Sequence, residues 1–273
     1  MNPDDFPAPK DGFVITHFLV VADQDRSRDF YQKILGGEVL IERDPVIMKV
    51  ANTWLILNVG GGPTDDKPTV TLTTPPDPNR TSAFLNIRVW DIQKAYKDWS
   101  AKGATFLTEP KDHGREIRAY IRDPDGHLIE VGQATGVLHF PVPKDGFVIT
   151  HFLVVADQDR SGDFYQKVFD AKVIIERDPV VMKVANSWLI LNEGGGPTDD
   201  KPTVTLTTPP DPNRTSAFLN IRVADIQKAY KEWSAKGAKF LTEPKDHGRE
   251  IRAYIRDPDG HLIEVGQTTG ALR

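Results

Sequence analysis

Residues 114–133 read GREIRAYIRDPDGHLIEVGQ and predict a β-hairpin. Its first half alternates apolar and polar side chains, which is typical of a half-buried strand. The DPDG segment predicts a tight turn, because proline fixes φ at the second turn position and glycine tolerates a positive φ. Glu130 stands in the middle of the returning strand, on the face opposite Ile129 and Val131. Because burying an unpaired carboxylate is costly, we expect Glu130 to have a partner.

Length and composition predict a globular protein of one large or two ordinary domains. The chain has 273 residues, of which 39% are hydrophobic and 27% charged. The net charge of −5 provides no basic field for nucleic acid or anionic lipid, and no apolar run is long enough for a membrane span. The absence of cysteine excludes disulfides, thiolate metal sites and a cysteine nucleophile. The acidic, proline-rich start is not typical of a secretion signal, so we expect a cytoplasmic protein.

An internal repeat decides the domain organisation. Residues 6–138 align with residues 140–272 without gaps at an offset of 134, with sixteen differences, so the two copies must share one fold. The repeat predicts a first domain at 6–138, a short proline-containing linker at 139–143 and a second domain at 144–272. We expect the two copies to pack on each other as a pseudo-dimer.

Each copy contains the pattern βαβββ twice. In the first copy the periodicity predicts a strand at 13–22, a helix at 25–35 and strands at 39–43, 46–51 and 53–58, then a strand at 82–89, a helix at 92–101 and strands at 104–108, 116–122 and 127–133. Asp91 is a candidate N-cap, and Gly36 ends the first helix. The glycine- and proline-rich segment 60–80 predicts a long connector.

This pattern resembles the vicinal oxygen chelate superfamily of glyoxalase I, fosfomycin and bleomycin resistance proteins and extradiol dioxygenases. The stretches that carry the resemblance are VADQDRSRDFYQKILGG after the first strand and RDPDGHLIEVGQ at the close of each copy. The resemblance implies an α+β fold of two tandem glyoxalase-like domains, each a pair of βαβββ modules whose curved mixed sheet surrounds a cavity. It does not select the reaction, because the superfamily contains lyases, isomerases, transferases, dioxygenases and proteins that only bind drugs.

The resemblance also implies one divalent metal ion per domain, held by His and Glu. The glutamate of the last strand matches Glu130, but the position of the second-half histidine matches Phe84, and a further glutamate position falls near Trp54. His17 lies one residue after the family's first-strand histidine, so it faces the cavity only if a bulge shifts the register. Otherwise it is a structural, hydrogen-bonded histidine. The candidate metal ligands are His17, Glu130, His151 and Glu264.

Alternation along the strands predicts which side chains face the cavity. The catalytic candidates are Glu130, Glu264, Tyr120 and Tyr254, and the substrate-binding candidates are Arg118, Arg252, Asn86, Asn220, Phe84, Phe218, Trp54 and Trp188. A cavity with these groups fits a small organic molecule that carries oxygen atoms. The alternative interpretation is structural: the aromatic side chains fill the barrel, and Glu130 anchors Arg118 in an ion pair.

Two functional hypotheses follow. The first is a metal-dependent lyase, isomerase or dioxygenase of the glyoxalase type, in which the metal polarises two adjacent substrate oxygens. The alternative is a metal-free small-molecule binding or drug-resistance protein of the bleomycin-resistance type. The retained Glu130 favours the enzyme, whereas Phe84 in place of a histidine favours the binding protein.

Overall fold

The structure is a computed structural model that describes residues 9–136 and 141–270. The first copy contains β1 (Phe13–Val21), α1 (Gln24–Leu35), β2 (Glu38–Ile41), β3 (Val46–Val50), β4 (Thr53–Val59), β5 (Thr71–Leu72), β6 (Arg80–Thr81), β7 (Ala83–Val89), α2 (Ile92–Ala101), β8 (Lys111–Asp112), β9 (Glu116–Arg122) and β10 (Leu128–Ala134). The second copy contains β11 (Phe147–Val155), α3 (Gln158–Phe169), β12 (Lys172–Ile175), β13 (Val180–Val184), β14 (Ser187–Glu193), β15 (Thr205–Leu206), β16 (Arg214–Thr215), β17 (Ala217–Val223), α4 (Ile226–Ala235), β18 (Lys239–Phe240), β19 (Lys245–Asp246), β20 (Glu250–Arg256) and β21 (Leu262–Thr268).

Two large sheets are each shared between the copies. The strand order of the first sheet is β2-β3-β4-β1-β17-β21-β20-β18, with β19 also paired to β20. The order of the second sheet is β12-β13-β14-β11-β7-β10-β9-β8. The copies join through antiparallel pairs, β1 with β17 and β11 with β7. Each sheet therefore combines the N-terminal module of one copy with the C-terminal module of the other.

The predicted α+β class is confirmed, but the prediction that each sheet forms inside one copy is wrong. Strands β7 and β17 have the identical sequence AFLNIRV, so their side chains cannot select the copy with which β1 pairs. The connectors also pair between copies, β5 with β16 and β6 with β15. The backbone N–H of Thr71, for example, donates to the carbonyl of Asn213 at 2.8 Å.

Local signals position most elements close to their predicted bounds. Helix α1 is capped by Asp23, whose carboxylate accepts from the backbone N–H of Arg26 at 3.0 Å. It ends at Gly36, whose φ of 68° lies in the left-handed region that glycine tolerates. The predicted N-cap Asp91 is confirmed for α2. The strand predicted at 104–108 is wrong, because this segment makes only an isolated bridge at Phe106.

The two faces of each sheet bury different kinds of side chain. In β1, Leu19 packs with the apolar face of the helices, whereas Phe18 and Val20 belong to a separate cluster on the other face. In β10, Ile129 likewise lies on the helix side and Leu128 on the other side. We call this second face of each sheet the cavity face. The period of two predicted from the sequence thus assigns the faces correctly.

No helix within the described part of the chain is long and apolar enough to cross a membrane. The predicted linker 139–143 lies partly outside the described residues, and the domain boundaries stay a prediction.

Candidate active site

A cavity of about 320 Å³ lies on the cavity face of the second sheet, where the two copies meet. The first copy provides most of its polar side chains, and the second copy provides most of its apolar side chains together with Arg177, Asp178 and Asn192. The polar group includes Asn86, Arg88, Arg118 and Glu130, and the apolar group includes Phe152, Ile175, Val181 and Ile190. An apolar wall with a few convergent polar groups is the usual form of a small-molecule site.

The Glu130 carboxylate is the centre of the polar side. It is only 3% exposed, and both of its oxygens are hydrogen-bonded. Oε1 accepts from Asn86 Nδ2 at 2.6 Å and lies 3.4 Å from Arg88 Nη1, and Oε2 accepts from the Tyr120 hydroxyl at 2.8 Å. The second copy completes the group, because the Thr150 hydroxyl donates to Asn86 Oδ1 at 3.2 Å. The expected partner of Glu130 is therefore a network of three side chains.

The first sheet repeats this arrangement with the copies exchanged. Glu264 accepts from Asn220 Nδ2 at 2.5 Å and from the Tyr254 hydroxyl at 2.7 Å. Thr16, from the first copy, donates to Asn220 Oδ1 at 3.0 Å. A sequence difference adds a contact here: Thr268, in place of the alanine of the first copy, accepts from Arg222 Nη2 at 2.8 Å.

Burial changes the acidity of these groups. Desolvation raises the pKa of Glu130, and the neighbouring Glu116 carboxylate raises it further, while Arg118, Arg88 and the Tyr120 hydroxyl oppose the rise. Burial and the charge of Glu130 also raise the pKa of Tyr120 well above its ordinary value, so the hydroxyl stays protonated and donates. A carboxyl group whose pKa is raised holds a proton more readily, which suits a role in proton transfer.

Arginine side chains surround the carboxylate and are held by further acids. Glu116 pairs with Arg88 at 2.8 Å and with Arg118 at 3.1 Å. Asp200, from the connector of the other copy, is fully buried and contacts Arg118 Nε at 2.9 Å and His113 Nε2 at 3.0 Å. Asp200 belongs to the second copy, which also provides most of the apolar side of this cavity. The connector of the second copy therefore contacts the polar side chains of the first copy.

The two candidate histidine ligands do not lie in the cavities. The Nδ1 atoms of His17 and His151 are 3.1 Å apart, and their rings stack with centroids separated by 5.1 Å. Strand β1 keeps a continuous register with both neighbours, so no bulge turns His17 towards Glu264. His17 stays on the face opposite Thr16, and the structure does not bring either histidine to a glutamate.

The residues around Glu130 do not fit a divalent metal ion. Its contacts are an amide, a hydroxyl and a guanidinium, and Glu116 is already paired with two arginines. His113 also lines the cavity, but its imidazole contacts Asp200 at 3.0 Å. Metal sites need several convergent carboxylate or imidazole ligands. Among the described residues, two His/Asp groups could hold a metal, and both lie at the connector contact: Asp65, Asp66 and His247, and His113, Asp199 and Asp200.

The structure brings together part of the predicted lining. Asn86, Tyr120 and Glu130 are in direct contact, whereas Arg118 reaches Glu116 and Asp200 rather than Glu130. Phe84 stacks on Phe152 of the other copy with centroids 4.5 Å apart. Their equivalents Asn220, Tyr254, Arg252 and Phe218 repeat these positions around Glu264.

Trp54 requires a correction. It packs in the cluster that contains Tyr254, and its equivalent Trp188 packs in the cluster that contains Tyr120. The reason is the exchange of modules between the sheets. The same exchange brings Thr150 and Asp200 to the site from the other copy, and no signal within one copy points to them. Arg88 could have been found, since it lies two residues after Asn86 on the same strand face.

Comparison with known proteins identifies the family. Residues 14–131 and 148–265 both match the Glyoxalase/Bleomycin resistance protein/Dioxygenase superfamily. The chain belongs to this superfamily. The resemblance read from the sequence is thereby confirmed, together with the fold of two tandem glyoxalase domains.

Relatives of the chain within the superfamily are enzymes by name. A protein of Arabidopsis thaliana named "Probable lactoylglutathione lyase, chloroplastic" is 30% identical over 255 residues, covering 88% of this chain and 68% of its own length. A lactoylglutathione lyase of Oryza sativa subsp. japonica is 27% identical, with 93% of this chain and 88% of that protein covered. These names support a glyoxalase-type enzyme.

A solved structure shows the same fold. Glyoxalase I from Zea mays superposes with a TM-score of 0.62 over 93% of each chain, at 19% sequence identity. At this identity the similarity concerns the fold and not the reaction.

Proposed function

We propose that the chain acts on a small organic molecule with two adjacent oxygen atoms, bound in two equivalent cavities between its copies. The observation that carries the proposal is the buried Glu130 carboxylate on the wall of a cavity of about 320 Å³. Asn86, Tyr120 and Arg88 surround this carboxylate with hydrogen-bond donors. The ligand would place its oxygens towards these groups and its apolar part against Phe152 and its neighbours.

The proposed reaction is a glyoxalase-type proton transfer. Glu130 would take up and return a proton on a carbon atom next to the substrate oxygens, since its raised pKa suits both directions. Tyr120 and the arginines would stabilise the negative charge that develops on those oxygens. Glu264, Tyr254 and their neighbours would do the same in the other cavity.

The relatives suggest a first substrate to test. Because two of them are named lactoylglutathione lyase, we propose lactoylglutathione as the probe for this chain. We also propose that the two copies act as a pseudo-dimer in which neither cavity is complete without both. A cytoplasmic location remains our proposal, although the Arabidopsis relative is named as chloroplastic.

The alternative function is small-molecule binding without catalysis. It is favoured by one observation: the groups around Glu130 do not provide the ligand set of a metal-dependent enzyme. Both proposals require the ligand to occupy the same cavity, so they differ in turnover and not in the site.

The test is to incubate the full chain with lactoylglutathione and to measure both its binding and its loss. For the enzyme, replacing both tyrosines (Tyr120→Phe with Tyr254→Phe) should slow turnover by about tenfold or more, because the hydroxyl that assists the reaction is lost. The matched control is Tyr96→Phe with Tyr230→Phe, on helices α2 and α4, which should leave the rate unchanged. Binding without turnover would support the alternative, and neither binding nor turnover would refute lactoylglutathione as the substrate.

A further inference from the structure

The position where a catalytic metal would be expected is occupied by protein groups. Both oxygens of Glu130 accept hydrogen bonds, from Asn86 Nδ2 at 2.6 Å and from the Tyr120 hydroxyl at 2.8 Å. A metal ion would have to displace these donors, and the imidazole that lines the cavity, His113, contacts Asp200 at 3.0 Å instead. The equivalent bonds to Glu264 are equally short, at 2.5 and 2.7 Å, so both glutamates have the same donors.

A positive charge is already built into each cavity. The guanidinium of Arg88 lines the cavity, is only 4% exposed and lies between Glu130 and Glu116. It rests directly on Gly132: a Cβ atom at this position would approach Arg88 Cζ to 2.9 Å and the Nη1 atom even more closely. Gly266 and Arg222 repeat this contact in the other cavity, with the same 2.9 Å. The glycine therefore leaves the space in which the guanidinium lies.

We infer that both cavities are metal-independent, and that the guanidinium groups of Arg88 and Arg222 supply the fixed positive charge that faces the ligand. The inference rests on the proposed function, in that the ligand is taken to carry two adjacent oxygens on which negative charge develops during the reaction. Arg88 Nη2 pairs with Glu116 at 2.8 Å and Nη1 lies 3.4 Å from Glu130, so the two acids hold the guanidinium in a fixed position on the cavity wall.

The connector groups do not replace the missing metal site. Asp66 Oδ2 already contacts Arg252 Nε and His247 Nε2, both at 3.0 Å. The arginine neutralises the carboxylate that a cation would need. The equivalent Asp200 makes the same two contacts, with Arg118 and His113. These ion pairs fix the connectors to the cavity wall, which is a structural role.

The first experiment uses metal ions alone, so it decides the inference even if lactoylglutathione does not bind. The full chain is dialysed against a chelator and titrated with Zn²⁺ and Ni²⁺ by calorimetry. We expect no binding that depends on the glutamates. Binding of about two ions per chain that is lost in Glu130→Gln with Glu264→Gln would overturn the inference. Binding that survives this change but is lost in Asp66→Asn with Asp200→Asn would place the metal at the connectors and leave the cavities metal-independent.

The second experiment moves the guanidinium without removing a charged group. Gly132→Ala with Gly266→Ala places a Cβ atom where the guanidinium now lies, so lactoylglutathione should bind about tenfold more weakly, in chelator and in added Zn²⁺ alike. Gly136→Ala with Gly270→Ala is the matched control, because a Cβ atom at either position meets no atom within 4 Å. Unchanged affinity in the first variant, or affinity in the parent chain that the chelator abolishes, would contradict the inference.

Discussion

The buried histidine pair predicts a specific loss of stability in mild acid. His17 and His151 are 0% and 1% exposed, with their Nδ1 atoms 3.1 Å apart. Burial lowers the pKa of His17 from 6.5 to about 3. Burial and the charge of His17 lower the pKa of His151 well below its ordinary value. Both rings are therefore neutral in the folded chain at neutral pH.

The magnitude follows from proton linkage. Between pH 6.5 and 3 the unfolded chain binds a proton on His17 that the folded chain does not. The stabilising contribution is therefore fully present above pH 6.5 and is lost as the pH falls towards 3. At about 1.36 kcal/mol per pH unit, His17 alone lowers the free energy of unfolding by about 2 kcal/mol at pH 5. His151 adds to this loss in the same direction.

The assay compares urea unfolding at pH 7 and pH 5 for the parent chain and for His17→Gln with His151→Gln. The variant keeps the other five histidines, so the difference between the two proteins isolates the pair. The parent should lose at least about 2 kcal/mol more than the variant between the two pH values. Equal losses in both proteins would refute the assignment of buried, neutral rings.

Two further predictions concern the connectors. Asp200→Asn should lower the free energy of unfolding by about 1–3 kcal/mol, because the half-buried guanidinium of Arg118 loses the negative charge of its partner, whereas Asp199→Asn, on an exposed neighbour, should change it little in the same urea measurement. Equal effects would contradict the role of the buried ion pair. Gly60→Ala should lower the melting temperature, because its Cβ atom would overlap the Leu72 carbonyl, whereas the Cβ atom of Gly61→Ala meets open space. Identical melting temperatures would contradict this close approach.

The elements that depend on local sequence could be predicted, because the information lies within a few residues. The hairpin around the DPDG turn is formed by Glu116–Arg122 and Leu128–Ala134, which differ from the prediction by at most one residue at each end. The same alternation placed Tyr120 and Glu130 on one face, where they share a hydrogen bond of 2.8 Å. Pairing within a hairpin fixes both the register and the facing side chains.

The pairing between copies could not be predicted, because it does not depend on local sequence. β1 meets AFLNIRV in either copy, so the hydrophobic pattern is equally satisfied by both arrangements. The pairing partner of β1 decides which copy provides the second set of side chains around each cavity. For this reason Thr150 and Asp200 were missed, and Trp54 was assigned to the wrong glutamate.

The most direct test of the account changes the carboxylates themselves. The parent chain should bind two lactoylglutathione molecules, Glu130→Gln one, and Glu130→Gln with Glu264→Gln none. All three should melt at similar temperatures, because glutamine keeps the shape and part of the hydrogen bonding but removes the charge. Calorimetric titration beside thermal unfolding gives both quantities. If the double variant melts at a much lower temperature and still binds two ligands, the carboxylates are structural and the proposed site is wrong.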